Sequence, residues 1–127
     1  MQINSYNCGG LGNLAKAEAV KFLLKMAPFD ILLLQETKID GEAILLIGKN
    51  KWNFNAGKSV SARGSSGGIA TLWRVENYQL INWYSTQHWI FSELYHCSSK
   101  TTYGLFNLYV LVNNMEKKSV GYHFLNF

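Results

Sequence analysis

A short apolar run that ends in a carboxylate constrains this chain more than any other feature. The stretch reads Asp30-Ile-Leu-Leu-Leu-Gln-Glu-Thr-Lys38, and its four consecutive apolar residues are too few for a helix of normal length. They suit a strand that is buried on both faces. The first side chain beyond the C-terminal end of such a strand emerges at the rim of the sheet, and here that residue is Glu36. A carboxylate at this position can ligate a hard cation such as Mg²⁺, whereas the alternative is that Glu36 caps the next turn or pairs with Lys38.

Length and composition predict one globular domain spanning residues 1–127. The chain has 127 residues, of which 48% are hydrophobic, and this is enough to build a core. No apolar run is long enough to span a membrane, and no charged start precedes an apolar stretch as in a secretory signal, so we expect an intracellular protein without a membrane partner. The net charge of +4 favours polyanionic partners. Cys8 and Cys97 lack metal-ligand spacing and are expected to be reduced.

The order of predicted elements favours a mixed α/β fold. A first strand ends at Asn7, and a glycine-rich turn follows. Apolar residues at helical spacing begin after Asn13, a candidate N-cap, and end at Pro28. After the strand that leads to Glu36, the sequence predicts a short helix over residues 42–47 that is closed by Gly48. Residues 116–127 look like the beginning of another helix. Further strands are predicted over residues 52–59, 69–74, 78–84, 89–97 and 102–112. A parallel start followed by a β-meander indicates a mixed, mainly antiparallel sheet, packed as a sandwich with helices outside.

The glycine-rich turn permits a second interpretation. Gly10-Leu-Gly-Asn-Leu-Ala15 matches the dinucleotide-binding fingerprint, with an acidic residue about twenty positions later in Glu36. This less favoured alternative would make the chain a fragment of an oxidoreductase. The first strand is too polar for a central parallel strand, and no further alternation of strands and helices follows. A turn that merely reverses the chain is the more common explanation.

Two cations and two residues of the last β-meander strand are candidates for contact with phosphate. Arg63 lies in a Gly/Ser-rich loop, where exposed N–H groups and a guanidinium can engage phosphate oxygens, although such an arginine is more often only solvated. Lys38 stands two positions after Glu36. Asn107 and Tyr109 have the same side-chain parity on a strand, so they point to one face, and the Tyr109 hydroxyl can donate to a phosphate oxygen if that face lines a cleft.

Four segments together resemble one family. Tyr6-Asn-Cys-Gly-Gly-Leu-Gly12 resembles the W-N-C-R-G-L-G opening of the endonuclease domain of plant non-LTR retrotransposons, within the endonuclease/exonuclease/phosphatase family. Leu33-Leu-Gln-Glu-Thr-Lys38 is similar to the Q-E-T-K element of that family. Gly64-Ser-Ser-Gly-Gly-Ile-Ala-Thr-Leu-Trp73 resembles its S-G-G-L-A-L-L-W element, and Asn107-Leu-Tyr109 resembles its N-V-Y element. The four segments occur in the order of the family and cover essentially the whole chain.

The resemblance implies a fold, a reaction and a set of site residues. The fold would be a four-layered α/β sandwich, and the reaction would be hydrolysis of a DNA phosphodiester with Mg²⁺ or Mn²⁺ as cofactor. Glu36 would bind the metal, Asn7 would support the metal and phosphate site, and Tyr109 would contact the scissile phosphate. Arg63 and Lys38 would bind nucleic acid. An origin in a retroelement would place the protein in the nucleus.

The chain also departs from the family pattern. It has no match to the D-x-N and S-D-H elements, which supply the residues that orient the nucleophile and complete the acid/base site. The sequence therefore predicts the N-terminal half of a truncated domain that is inactive as it stands, because general acid/base groups each contribute about 10²–10⁴-fold in rate. Unpaired sheet edges would favour self-association. The alternative function is a catalytically empty module that binds nucleic acid.

Overall fold

The computed structural model of the chain describes residues 2–26, 29–111 and 117–126. Its two helices are α1 (Leu14–Met26) and α2 (Gly41–Lys51). Its strands are β1 (Ile3–Asn7), β2 (Ile31–Gln35), β3 (Ala56–Val60), β4 (Ile69–Trp73), β5 (Tyr78–Ser85), β6 (Trp89–His96), β7 (Thr101–Leu111) and β8 (Lys117–Asn126).

The strands form two four-stranded sheets. The first sheet has the order β1-β2-β4-β3, in which β1 and β2 are parallel and the other neighbours are antiparallel. The second sheet has the order β5-β6-β7-β8 and is antiparallel throughout. This arrangement confirms the predicted mixed α/β fold with a mainly antiparallel sheet. No described helix has the length and apolar character that a membrane crossing requires.

Strand β2 packs against different partners on its two faces. Leu32 and Leu34 join the core cluster that includes Ala17 and Val20 of α1, whereas Leu33 joins the cluster that contains residues of the second sheet such as Leu105. The first sheet therefore lies between the helices and the second sheet. Burial of each of the β2 side chains Leu32, Leu33 and Leu34 contributes about 1.5–3 kcal/mol, so β2 is a central element of the core. The fourth layer implied by the resemblance stays a prediction.

The start of α1 is as the sequence predicts. The side-chain oxygen of Asn13 accepts a hydrogen bond from the backbone N–H of Lys16 at 3.0 Å, which is the N-cap interaction. The helix is described as far as Met26, and Pro28, the predicted helix end, lies outside the described residues.

Helix α2 corrects two predicted boundaries. It extends from Gly41 to Lys51 and includes Gly48, which the sequence suggested as its end. A Cβ at Gly48 would come within 3.0 Å of Leu72 Cδ1, so this glycine serves the close approach of the helix to the sheet. The predicted strand over residues 52–59 starts only at Ala56, because Trp52 forms the C-cap of α2 and Asn53 adopts a φ of 61°.

The predicted helix over residues 116–127 is wrong. Strand β8 occupies Lys117–Asn126 and pairs antiparallel with β7, from Leu111↔Lys117 to Tyr103↔Asn126. Val120, Tyr122 and Phe124 alternate along this segment with period two, which is a strand pattern in residues of high β propensity. Val112, Glu116 and Phe127, which bound the predicted elements here, lie outside the described residues.

Candidate active site

Backbone hydrogen bonds fix the segment that follows β2 from both sides. On one side, Gly10 N–H donates to the Glu36 carbonyl at 2.8 Å, and Leu11 N–H donates to the Thr37 carbonyl at 2.8 Å. On the other side, Thr37 N–H donates to Gly68 O at 3.1 Å and Lys38 N–H donates to Gly67 O at 2.9 Å. The glycine-rich turn after β1 and the loop before β4 thus hold residues 36–38 between them.

Glu36 and Lys38 both adopt left-handed backbone conformations. Their φ angles are 54° and 59°, and such a conformation costs a residue with a Cβ roughly 1–2 kcal/mol. This strain persists because the hydrogen bonds on both sides determine the path of the backbone. Strained backbone of this kind concentrates at functional sites, and Glu36 combines it with a buried carboxylate at the end of β2, which makes Glu36 the leading candidate for chemistry among the described residues.

The carboxylate of Glu36 is nearly enclosed but faces a cation. The residue is 7% exposed, and its Oε1 lies 3.6 Å from Lys38 Nζ. The ion pair that the sequence offered as an alternative is therefore present. Because 3.6 Å is longer than a charge-assisted hydrogen bond, the contact with Lys38 is an ion pair and not a hydrogen bond.

The charges of Glu36 and Lys16 both affect the pKa of the neighbouring Cys8 thiol. Burial raises the pKa of Cys8 to about 12, and Glu36 adds to the increase while Lys16 opposes it. The ammonium of Lys16 donates to the carbonyls of Cys8 at 3.2 Å and Gly9 at 2.9 Å. A lysine that folds over the glycine turn in this way is held by carbonyl oxygens, and this gives no support to the dinucleotide-binding alternative, in which N–H groups of the turn face a pyrophosphate.

A second close approach involves Gly68, whose φ is 92°. A Cβ built at this position would collide with Thr37 Oγ1 and would lie 3.1 Å from Lys38 N. Glycine is therefore required here both for its conformation and for the space that it leaves. The sequence shows this residue in a Gly/Ser-rich loop but cannot show what it touches.

Asn7 lies beside the end of β2. Its Cα pairs with Gln35 in the parallel register of β1 and β2, and its Oδ1 accepts a hydrogen bond from Gly9 N at 3.1 Å. An amide oxygen has two lone pairs, so Asn7 can still offer one to a ligand. The structure thus places Asn7 and Glu36 at the same rim of the first sheet.

A buried amide network joins the two sheets just below this rim. Gln35 Nε2 donates to Ser5 Oγ at 2.9 Å and to Asn107 Oδ1 at 2.8 Å. Asn107 Nδ2 in turn donates to the carbonyl of Ala70 at 2.9 Å. Both Gln35 and Asn107 are 0% exposed. Sequence reasoning assigned no role to Gln35, for which the signals were its place in the Q-E-T-K-like segment and its position as the polar residue that ends an apolar buried strand.

Tyr109 shares the inner face of the second sheet with Asn107, as the alternation along β7 predicts. The residue is 3% exposed and packs in a small core cluster with Ile69 and Ile90. Its backbone N–H donates to the carbonyl of His88 at 2.7 Å. The hydroxyl group is thus enclosed between the sheets, and its contact with a phosphate stays a prediction.

Arg63 lies in the exposed loop between β3 and β4. Its backbone forms a short turn with Ser66, in which Arg63 N–H donates to Ser66 O at 2.9 Å and Ser66 N–H donates to Arg63 O at 3.1 Å. The guanidinium lies against the side-chain amide of Gln87, between β5 and β6. Arg63 therefore connects loops of the two sheets. Whether Arg63 and Lys38 bind nucleic acid stays a prediction.

The donors at the rim suit a hard cation. Among the described residues, no group of three or more His, Cys, Asp or Glu could hold a metal ion, so this part of the chain offers no closed protein cage. Mg²⁺ needs none, since it is usually bound by one or two carboxylates together with water and substrate phosphate. The carboxylate of Glu36 and the amide oxygen of Asn7 fit that chemistry.

The comparisons with known proteins agree with the fold. We found no significant match among curated proteins. Among solved structures, the chain is similar to the 3′ phosphatase NExo from Neisseria, solved with a product DNA hairpin, with a TM-score of 0.51 and 22% sequence identity. The match covers 74% of this chain and 37% of that one, and at this identity it shows the fold alone.

A family model gives the assignment. The model of the Endonuclease/Exonuclease/phosphatase family matches residues 5–115. This range includes Glu36 at the rim of the first sheet, and Asn107 and Tyr109 on β7. The chain belongs to the Endonuclease/Exonuclease/phosphatase family.

Proposed function

We propose that this chain is the N-terminal part of a metal-dependent endonuclease domain that hydrolyses phosphodiester bonds in DNA, and that it is inactive by itself. The observation that carries the proposal is Glu36, a nearly buried carboxylate at the sheet rim in a strained conformation that neighbouring loops impose. Family membership supports hydrolysis of a phosphoester as the reaction class.

The residues at the rim divide the work. Glu36 would hold Mg²⁺ or Mn²⁺, with the Asn7 amide oxygen beside it. A bound divalent cation polarises a phosphoryl oxygen and makes water more acidic. The Tyr109 hydroxyl, which is enclosed in this structure, would donate a hydrogen bond to the scissile phosphate when the substrate reaches it. Arg63 and Lys38 would bind the phosphate backbone of the nucleic acid.

DNA is the proposed substrate, because the residues of the four motifs resemble those of retrotransposon endonucleases. The net charge of +4 is compatible with a polyanionic partner, and the structurally similar phosphatase was solved with a DNA hairpin. An endonuclease of the retrotransposon type would act in the nucleus, so we propose an intracellular protein with a nuclear site of action.

Inactivity follows from the groups that the sequence lacks. Without the D-x-N and S-D-H elements, no residue is assigned to position and activate the attacking water, and each such group contributes about 10²–10⁴-fold. Incubation of supercoiled plasmid with the purified chain and Mg²⁺ should therefore give no more nicking than incubation with the Glu36→Gln variant. If the chain nicks the plasmid and the Glu36→Gln variant does not, the proposal that the chain is inactive by itself is wrong.

A catalytically empty module that binds nucleic acid is the second candidate function. The ion pair between Lys38 and Glu36 favours it, because a carboxylate that is already neutralised has less need of a metal. Binding of a fluorescent DNA hairpin separates the two functions. The nuclease fragment should bind more tightly when Mg²⁺ is added, and this gain should vanish in Glu36→Gln, whereas the empty module should bind equally well with EDTA.

A further inference from the structure

A groove of about 420 Å³ lies away from the rim, on the side of the molecule where α2, β3 and the second sheet meet. Most of its lining is apolar. The apolar lining residues are Leu45 and Leu46 of α2, Phe54 just before β3, Trp73 of β4 and Leu80 of β5. None of these residues takes part in the candidate active site, so the groove needs an explanation of its own.

The groove follows an open strand edge. Its lining includes the consecutive residues Ala56, Gly57 and Lys58 of β3. In the part of the chain that the structure describes, β3 pairs with β4 alone and ends the sheet. Since the groove also touches the layers above and below the first sheet, it lies where a further strand would extend that sheet. An open edge offers backbone donors and acceptors to an extended peptide.

The charged residues that line the groove are both lysines. Lys49 and Lys58 belong to its lining, and no carboxylate does. The ammonium of Lys58 lies 4.6 Å from the ring centre of Trp83, a cation–π contact that holds it at the second sheet. The two salt bridges among the described residues engage other lysines, Lys38 and Lys51. Lys49 and Lys58 are therefore available for an anionic ligand.

We propose that this groove binds an extended, acidic segment of a partner protein, which adds to β3 as a further strand. The apolar lining would take aliphatic side chains towards both ends of the segment, and two consecutive carboxylates between them, which point to opposite faces of the added strand, would meet Lys49 on the helix side and Lys58 on the opposite side. A second copy of the chain is the less suitable occupant, because pairing of two β3 strands would bring like-charged lysines together. Nucleic acid is less suitable as well, because its backbone would leave the apolar lining unfilled.

Fluorescence anisotropy with a labelled Val/Glu peptide, in which two consecutive Glu residues are flanked by Val residues on both sides, tests the proposal. The peptide has about six residues, the length of a common strand. We expect saturable binding to the full chain, and about fivefold weaker binding for each of the variants Lys49→Glu and Lys58→Glu. Lys25→Glu, which makes the same charge change on the exposed face of α1, should bind like the unmodified chain.

Two further peptides separate strand addition from simple attraction. A peptide in which Lys replaces both Glu residues should not bind, and a Val/Glu peptide with N-methyl groups on every second residue should lose binding because one of its hydrogen-bonding edges is blocked. Equal binding of the N-methylated peptide, equal loss in Lys25→Glu, or no binding of the Val/Glu peptide would each overturn the proposal. Sedimentation that shows dimers of the chain, together with no binding of the Val/Glu peptide, would indicate a second copy as the occupant instead.

Discussion

Gln35, the last residue of β2, donates a hydrogen bond from Nε2 to Oδ1 of Asn107 on β7, across the interface between the two sheets. The bond is 2.8 Å long and lies in a part of the interface where both residues are 0% exposed. Glu36 follows Gln35 directly. The strand end that presents the candidate metal ligand is thus fixed by a polar contact to the second sheet, and each sheet depends on the other for the geometry of the rim.

Replacement of Asn107 by alanine should therefore destabilise the fold strongly. The change removes the contact to Gln35 and the donor to the carbonyl of Ala70, and it leaves buried polar groups without partners, at a cost of about 2–4 kcal/mol in the free energy of unfolding. Urea denaturation followed by tryptophan fluorescence measures this quantity. Asn50→Ala, at an exposed position of α2, is the control and should change it by less than about 0.5 kcal/mol.

Two glycines of one loop provide a matched pair. Both Gly64 (φ 59°) and Gly68 (φ 92°) have positive φ, but nothing lies within 4 Å of a Cβ at Gly64, whereas a Cβ at Gly68 collides with Thr37. Gly64→Ala should cost about 1 kcal/mol from backbone strain alone. Gly68→Ala should cost more by at least about 1–3 kcal/mol, because Thr37 must move. Equal free energies of unfolding for the two variants would contradict the close approach.

How much of this site the sequence predicts depends on the range of the interactions. The apolar run before Gln35 is a local pattern, so it places β2 and the emergence of Glu36 correctly. The left-handed conformation of Glu36 is imposed by Gly10 and by the loop at Gly68, which are distant in sequence. No local propensity reports such a constraint, and a glutamate would not be expected at a positive φ.

The wrong boundaries have the same origin. Glycine is typical of helix C-termini, but Gly48 lies inside α2, where the helix packs closely on Leu72. Strand β8 lacked a clear strand signal at its start because Lys117 and Lys118 resemble a polar helix face. Its identity comes from pairing with β7, a nonlocal contact. In each case, tertiary packing determined the element where the local pattern was ambiguous.

The metal site gives a prediction with an internal control. Mn²⁺ binding, followed by the loss of its free electron paramagnetic resonance signal, should disappear in Glu36→Gln. Glu18→Gln should leave binding unchanged, although Glu18 is also a glutamate paired with a lysine, at 3.3 Å from Lys51. If both variants or neither of them lose Mn²⁺, the metal is not held by Glu36.

Lys38 should compete with that metal. Its ammonium lies 3.6 Å from the Glu36 carboxylate, and a partly exposed pair of this kind contributes about 0.2–1 kcal/mol. Removal of the positive charge in Lys38→Gln should therefore strengthen Mn²⁺ binding by roughly two- to fivefold. Weaker binding in this variant would mean that Lys38 positions the carboxylate for the metal and does not compete with it.

Arg63 gives a prediction that depends on salt. If its guanidinium contacts a phosphate, Arg63→Gln should weaken binding of a DNA hairpin and reduce the slope of log K against log[salt] by about 1. Lys25→Gln, at an exposed position of α1, should leave the slope unchanged because it lies away from the loops at the rim. An unchanged slope in Arg63→Gln would show that this arginine does not contact a phosphate.

The buried thiol of Cys8 should make the stability of the fold depend on alkaline pH. Burial raises the pKa of Cys8 to about 12 in the folded chain, whereas the pKa of an unfolded cysteine is about 8.5. The fold therefore favours the protonated thiol, and the resulting stability is complete below the unfolded pKa and is lost as the pH rises towards the folded pKa. The slope approaches about 1.4 kcal/mol per pH unit between these values. Urea denaturation from pH 8 to 10.5 should show this decline, and Cys8→Ala should reduce it by the contribution of one proton. An identical slope in Cys8→Ala would show that other groups cause the decline.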